Sequence, residues 1–232
     1  MHVERKNLAL AGQEMPPLVQ GDKLSRDEFM RRWEAMPRLK RAELIGGIVY
    51  MPSPLSRNHG IFDLDVGGWL WMYSVSTPGC EAGGNATWLM RESDAPQPDC
   101  DLRILPEYGG QSRMEGDYSA GAPEFLAEVC LSSTSYDLNQ KFDLYQEAGV
   151  HECLALLLRE HEVRWHRLVD SKFHVMSPGS DGILRSVVFP GLWLDPAALL
   201  TQDKQRMLAA LQQGLQSPEH AAFVAELSRR KK

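Results

Sequence analysis

Two stretches of the chain decide how the rest is interpreted: PDCDL at residues 98–102 and FLAEVC at residues 125–130. Both are short apolar runs of the kind that form β-strands. Each run also carries carboxylates, which are uncommon in strands. We therefore predict two central strands, and the acids on them, Asp99 and Glu128, need an explanation.

Lys141 follows Glu128 by about a dozen residues, a spacing that suits a helix packed back over the strand end. If the two strands are neighbours, the carboxylates of Asp99 and Glu128 converge and repel each other unless a cation is present. Mg²⁺ prefers such oxygen ligands, together with waters and phosphate oxygens. The alternative is a pair of structural acids at strand ends beside a surface lysine.

Composition sets the broad class of protein. The 232 residues include 43% apolar and 24% charged residues, as in an ordinary soluble domain with or without appendages. The net charge of −6 argues against a protein that binds nucleic acids indiscriminately, although it allows a local basic groove. We interpret the basic clusters as solvated faces; they are Arg31, Arg32, Arg38, Lys40 and Arg41, and Arg229-Arg230-Lys231-Lys232.

The sequence offers little evidence for a membrane-targeting segment or for a cysteine-based metal or redox site. No apolar run is long enough to span a membrane, and the charged start is not followed by an apolar core. We therefore expect no signal peptide, no membrane anchor and a cytoplasmic location. The cysteines lack Cys-x-x-Cys spacing, so buried free thiols are favoured over a zinc site.

The remaining pattern predicts an α/β (α+β) domain at residues 23–194, with a central sheet flanked by helices. A loosely held arm, residues 1–22, precedes it, and a C-terminal helical extension, residues 195–232, follows. Ser25 and Glu28 form a capping box for a helix that stops before Pro37. Gly46-Gly47 between apolar runs predicts a tight hairpin, and a helix follows at about residues 55–73.

The second half alternates strands and helices. Residues 106–123 are rich in Gly, Ser and acids, which predicts a long surface loop. A helix at residues 136–148 has cap candidates at residues 132–135 and is closed by Gly149. Strands are predicted at residues 152–158, 163–168 and 173–176. One helix is expected from Asp195 to about Gly214, and the last begins at Ser217-Pro218.

The ordered motifs resemble the Uma-type family of restriction endonucleases, which belongs to the PD-(D/E)XK nuclease superfamily. The resemblance spans roughly residues 24–168, and residues 189–194 with the final helices resemble an extension found in a subgroup. The motifs that carry it are Glu43-Leu44-Ile45, Met51-Pro52-Ser53-Pro54, His59, Pro98-Asp99, Glu128-Val129, Ser132-Ser133, Lys141, Tyr145 and Gly149-Val150.

The resemblance implies a restriction-endonuclease-like core with a mixed sheet, and cleavage of DNA that depends on Mg²⁺ (or Mn²⁺). Lys141 matches the catalytic lysine, which this family moves from the strand to the next helix; Cys130 fills the strand position. The implied metal shell consists of Asp99, Glu128, the backbone carbonyl of Val129 and, as a further acid, Glu43.

Some residues depart from the family pattern or have an open role. Gly46 stands where the family has an aspartate, and Cys153 stands where an aromatic residue is common. Asp101 shares the strand face of Asp99 but is not favoured as a ligand. His59 either positions a phosphate or water, or only packs, and Tyr145 is expected to pack.

Three functions stay open at this point. The first is a metal-dependent endonuclease acting on DNA. The second is a catalytically inactive nuclease-fold protein that serves interaction or oligomerisation, and the third is a metal hydrolase of small phosphate esters. A homodimer is compatible with the first, because two sites cut both strands of a duplex most simply.

Overall fold

The computed structural model describes residues 15–51, 55–132 and 136–231. The helices are α1 (Arg26–Glu34), α2 (Arg57–Ser76), α3 (Tyr136–Ala148), α4 (Pro196–Leu200), α5 (Lys204–Leu215) and α6 (Pro218–Arg230). The strands are β1 (Glu43–Ile45), β2 (Ile48–Tyr50), β3 (Cys80–Gly84), β4 (Trp88–Leu89), β5 (Cys100–Ile104), β6 (Arg113–Glu115), β7 (Tyr118–Ala120), β8 (Phe125–Cys130), β9 (Glu152–Leu157), β10 (Glu162–Val169), β11 (Lys172–Val175), β12 (Leu184–Arg185) and β13 (Trp193–Leu194).

The central sheet has the order β11-β10-β9-β8-β5-β3. Its β8–β9 pair is parallel and its other pairs are antiparallel, so the sheet is mixed, as predicted. Parallel neighbours need a crossover connection, and α3 provides it between β8 and β9. The predicted fold class, a mixed sheet flanked by helices, is confirmed.

The two faces of the sheet pack against different elements because strand side chains alternate. One face packs against α2 and the C-terminal helices. Trp69, Phe125 and Trp165 meet there edge to face, with ring centroids 5.4–6.1 Å apart. The opposite face packs against α3 and the β1–β2 hairpin, where Ile45, Leu126 and Tyr145 share one buried cluster. Side chains on this second face therefore point toward α3.

The predicted hairpin is present. Gly46 and Gly47 form its turn with φ of 57° and 76°, values that favour glycine. The Asp94 carboxylate fixes the turn by accepting from the Gly46 N–H at 2.6 Å. Part of the predicted arm contacts the hairpin, since the Gly21 N–H donates to the Val49 carbonyl at 2.8 Å. Residues 1–14 of that arm lie outside the described residues.

Most predicted helices agree with the structure. Ser25 caps α1 by accepting from the Glu28 N–H at 3.3 Å. α3 spans its predicted range and α6 begins at Pro218 as expected. The cap candidates at residues 133–135 lie outside the described part of the chain.

The prediction of a long surface loop at residues 106–123 is wrong. The segment contains a short 3₁₀ helix (Pro106–Tyr108) and the strands β6 and β7. Strand β7 pairs with β6 and, in parallel, with β4, and this buries Ala120. Such three-residue strands depend on pairing with a distant strand. Their own sequence is polar and therefore does not identify them as strands.

The prediction of one helix from Asp195 to Gly214 is also wrong. Gln202 has a φ of 58°, outside the helical range, and separates α4 from α5. Each helix has its own cap: Asp195 accepts from the Ala198 N–H at 2.9 Å, and Asp203 accepts from the Arg206 N–H at 3.1 Å. Aspartate side chains satisfy free helix-end N–H groups in this way, so the second aspartate marks a new start.

The cysteines follow the sequence prediction in part. All four cysteines are free thiols; Cys100 and Cys153 are buried as expected, but Cys130 is only half-buried. Among the described helices, none is long and apolar enough to cross a membrane.

The C-terminal helices contribute to the main apolar cluster, with Leu199, Met207, Leu211, Phe223 and Leu227. Leu211 is fully buried there. We expect Leu211→Ala to lower the free energy of unfolding by about 2–5 kcal/mol, because it leaves a cavity in the core. Leu64→Ala is the matched control; this leucine is 74% exposed, so its change stays within about 0.5 kcal/mol. Denaturant titration measures both, and equal effects would contradict the packing.

Candidate active site

Sheet register brings Asp99 and Glu128 together. Cys100 lies opposite Ala127 in the antiparallel β5–β8 pair, so one further residue places Asp99 opposite Glu128. Directly opposite residues of antiparallel strands share a face, with Cβ atoms about 4.5–5.5 Å apart. Both residues are buried. The two predicted metal-binding acids therefore occupy neighbouring positions on the sheet face that α3 covers.

Asp99 is held by one strong contact and approached by two basic groups. Its Oδ2 accepts from the Val129 N–H at 2.8 Å. Arg41 Nη2 lies 3.4 Å from Oδ1, and His59 Nε2 lies 3.6 Å from Oδ2. Since the N–H and C=O of one strand residue point to the same edge, the Val129 carbonyl is directed toward the Asp99 side of β8.

Lys141 joins two carboxylates. Its Nζ lies 3.1 and 3.2 Å from the Glu128 carboxylate oxygens and 2.8 Å from Glu43 Oε1. The Gln97 N–H also donates to Glu43 Oε1, at 2.7 Å, and holds that carboxylate in place. Lys141 is buried beside both acids. α3 and β1 thus deliver an amine and an acid to the strand end that carries Glu128.

The charges of this cluster shift one another. Burial raises the pKa of Glu128; the Lys141 ammonium opposes this, and the carboxylates of Asp99 and Glu43 add to it. Burial alone would lower the pKa of Lys141, but Glu128 and Glu43 outweigh burial and raise it. Lys141 is therefore protonated at neutral pH. Lys141 thus stands between two of the three acidic side chains, and Arg41 and His59 lie beside the third.

Tyr145 has a role that packing alone does not describe. It lies one turn after Lys141 on α3, and its hydroxyl donates to Glu128 Oε1 at 2.5 Å. The side chain is fully buried in a cluster with Cys153, so it packs as predicted. Burial and then the Glu128 charge raise the pKa of Tyr145, and the phenol remains a donor. The i, i+4 spacing was the available signal for this contact.

The predicted residues that converge are Asp99, Glu128, Lys141 and Glu43. Asp101 does not join them: it lies against Gly83 of β3, on the side of β5 opposite β8. Burial raises the pKa of Asp101 to about 6. The motif residues 52–54 and Ser133 lie outside the described residues.

Sequence reasoning missed Arg41, which it assigned to a solvated basic cluster. The residue lies two positions before Glu43, and residues two apart on an extended chain share a face. This relation was the signal that could have identified it. His59 also reaches the site, which favours positioning over packing alone for that side chain.

The donor set suits a hard cation with few protein ligands. Within residues 15–51, 55–132 and 136–231, no three His, Cys, Asp or Glu side chains are arranged so that they could hold a metal ion. Mg²⁺ is nevertheless often bound by one or two carboxylates, with waters and substrate phosphates completing its shell. The Asp99 and Glu128 carboxylates and the Val129 carbonyl fit that chemistry. Glu43 as a ligand stays a prediction.

Comparison with known proteins supports the resemblance drawn from the motifs. Residues 26–197 match the model of the Uma2 family, described as "Putative restriction endonuclease". The chain also resembles a crystal structure described as that of "a putative nuclease belonging to DUF820" from Anabaena variabilis. The TM-score is 0.60 at 16% identity, over 77% of this chain and 98% of that chain, which shows a shared fold. No curated protein matches.

We expect Lys141→Met to lower the free energy of unfolding by about 3–5 kcal/mol, because it leaves buried carboxylates without their counter-charge. Adding Glu128→Gln to this variant should recover part of the loss. Lys172→Met is the control, since Lys172 is exposed on β11, and it should change stability by less than about 0.5 kcal/mol. Thermal and denaturant unfolding measure these effects; a Lys141 variant as stable as the control would rule out the buried ion network.

Proposed function

This chain belongs to the Uma2 family and has a nuclease fold, and we propose that it is a metal-dependent endonuclease of the PD-(D/E)XK type that hydrolyses phosphodiester bonds of DNA. One observation carries the proposal. Asp99 and Glu128 are buried side by side on one sheet face, and Lys141 of α3 contacts Glu128 there. All of these residues lie within residues 26–197, the range that matches the family model.

Asp99, Glu128 and the backbone carbonyl of Val129 would hold Mg²⁺ (or Mn²⁺), with Glu43 as a further acid. When bound, such an ion lowers the pKa of a water ligand and stabilises negative charge on a phosphoryl group. The Val129 N–H donates to Asp99 Oδ2 at 2.8 Å and so fixes the orientation of that carboxylate. Tyr145 does the same for Glu128 by donating to Oε1.

Lys141 has a role separate from metal binding. Its ammonium is held by three carboxylate oxygens of Glu128 and Glu43, so it would act on a phosphate or an attacking water through its positive charge. A fixed positive group at that position stabilises the charge that develops on the phosphate in the transition state. Because Glu43 and Glu128 hold the amine rigidly, little reorganisation is needed when a substrate binds.

We further propose that the active form is a cytoplasmic homodimer. A duplex has two antiparallel strands, and a two-fold pair of sites can cut both. The measurement that checks this is the mass of the protein in solution, with and without duplex DNA.

Purified protein should cleave plasmid DNA with Mg²⁺ or Mn²⁺, and Asp99→Asn, Glu128→Gln and Lys141→Ala should each reduce the rate by about 10²-fold or more. The matched control is Asp101→Asn, on the same strand face but directed to β3; it should retain cleavage. Calorimetry with Mn²⁺ should show binding that Asp99→Asn and Glu128→Gln lose.

A chain that cleaves neither DNA nor RNA with either metal and binds no Mn²⁺ would refute the proposal and favour the non-catalytic interaction protein. Hydrolysis of an aryl phosphate ester without cleavage of nucleic acids would instead favour the small-ester hydrolase.

A further inference from the structure

We propose that Arg41 and His59 form a phosphate clamp, a pair of side chains that binds the non-bridging oxygens of the scissile phosphodiester beside Asp99. The inference rests on the proposed nuclease function and adds the residues that recognise the substrate's charge. Arg41 comes from the segment before β1 and His59 from the first turn of α2, so two separate elements deliver basic groups to one carboxylate.

Arg41 is placed where a substrate can reach it. Its side chain is 29% exposed, whereas that of Asp99 is 7% exposed. The Nη2–Oδ1 separation of 3.4 Å exceeds the ~2.7–2.9 Å of a strong charge-assisted hydrogen bond. Among the described residues, Arg41 Nε is buried and has no hydrogen-bond partner. The Arg41 side chain is therefore partly exposed beside the acidic cluster, and its contact with Asp99 is a long one.

His59 also approaches Asp99 without completing its hydrogen bonds. Its backbone N–H is fixed by the Ser56 hydroxyl at 3.2 Å, which holds the start of α2 in place. Its Nε2 lies 3.6 Å from Asp99 Oδ2, beyond normal hydrogen-bond distance. Its Nδ1 is buried and unpaired within the described part of the chain. Both side chains thus point at Asp99 without satisfying their hydrogen-bonding capacity.

A phosphate group resolves this imbalance. Phosphate oxygens are strong acceptors that a guanidinium fork matches in a bidentate manner, and His59 Nε2, which faces Asp99, can contact the same group. Positive groups are also needed here, because Glu43, Asp99 and Glu128 would otherwise repel a phosphodiester. Arg41 supplies that charge at the more exposed side of the cluster, while Lys141 stays bound to Glu43 and Glu128.

The test uses the full chain with Arg41→Ala, Arg41→Lys, His59→Gln and, as the matched control, Arg38→Ala. Arg38 belongs to the same basic segment but is exposed. Cleavage of a labelled duplex gives kcat and KM with Mg²⁺, and fluorescence anisotropy in Ca²⁺ gives the affinity at several salt concentrations. Thermal unfolding and Mn²⁺ calorimetry report on the folded site.

We expect Arg41→Ala and His59→Gln each to lower kcat/KM by about 10- to 100-fold, the loss of one charge-assisted phosphate contact. Arg41→Ala should also reduce the slope of log affinity against log salt by about 1. Arg41→Lys should fall between wild type and Arg41→Ala, because it keeps the charge but not the fork. Arg38→Ala should change kcat/KM by less than about threefold, and all variants should retain Mn²⁺ binding.

The failures are distinguishable. If wild type cleaves DNA and the Arg41 and His59 variants behave like Arg38→Ala, the clamp is refuted and the nuclease proposal stands. If Arg41→Ala loses Mn²⁺ binding and Arg41→Lys does not restore cleavage, Arg41 only supports Asp99 and the clamp is again refuted. If wild type neither binds nor cleaves nucleic acid, the proposed function itself fails.

Discussion

The repulsion between buried carboxylates on one face of the sheet is the constraint on which the candidate site depends. Glu43, Asp99 and Glu128 are buried. An uncompensated buried ion lowers the stability of the fold by an amount on the order of several kcal/mol. Lys141 compensates two of these acids and Arg41 approaches the third. Apolar side chains of similar volume would often be at least as stable. Stability alone therefore does not account for this charged cluster, and this favours a chemical role for it.

The scaffold places these charges by dividing the work between the two faces of the sheet. Trp69, Phe125 and Trp165 fill one face with tightly packed rings, and the C-terminal helices extend that apolar layer. Because this layer supplies the core, the opposite face can carry polar groups. The β8–α3–β9 crossover then lays α3 over that face, which brings Lys141 and Tyr145 to Glu128.

Local signals in the sequence were reliable where a short-range interaction decides the structure. The Gly46-Gly47 turn and the Ser25 cap follow from residue types that are close in sequence, and α3 has its predicted range. The predictions failed at residues 106–123, where β7 depends on pairing with the distant β4. They failed again near Gln202, where one residue of positive φ ends α4. A regular pattern of apolar residues continues across such a break and conceals it.

The sequence by itself determined the mixed α/β class, the family, and the identity and order of Glu43, Asp99, Glu128 and Lys141, because these follow from residue type, period and motif spacing. The tertiary structure decided which acids meet. Asp99 and Asp101 share a strand face, but the β5–β8 register sets Asp99 opposite Glu128, and Asp101 lies against β3. It also showed that Arg41 and His59 reach Asp99. Strand register and helix docking depend on long-range pairing and packing, which local sequence does not encode.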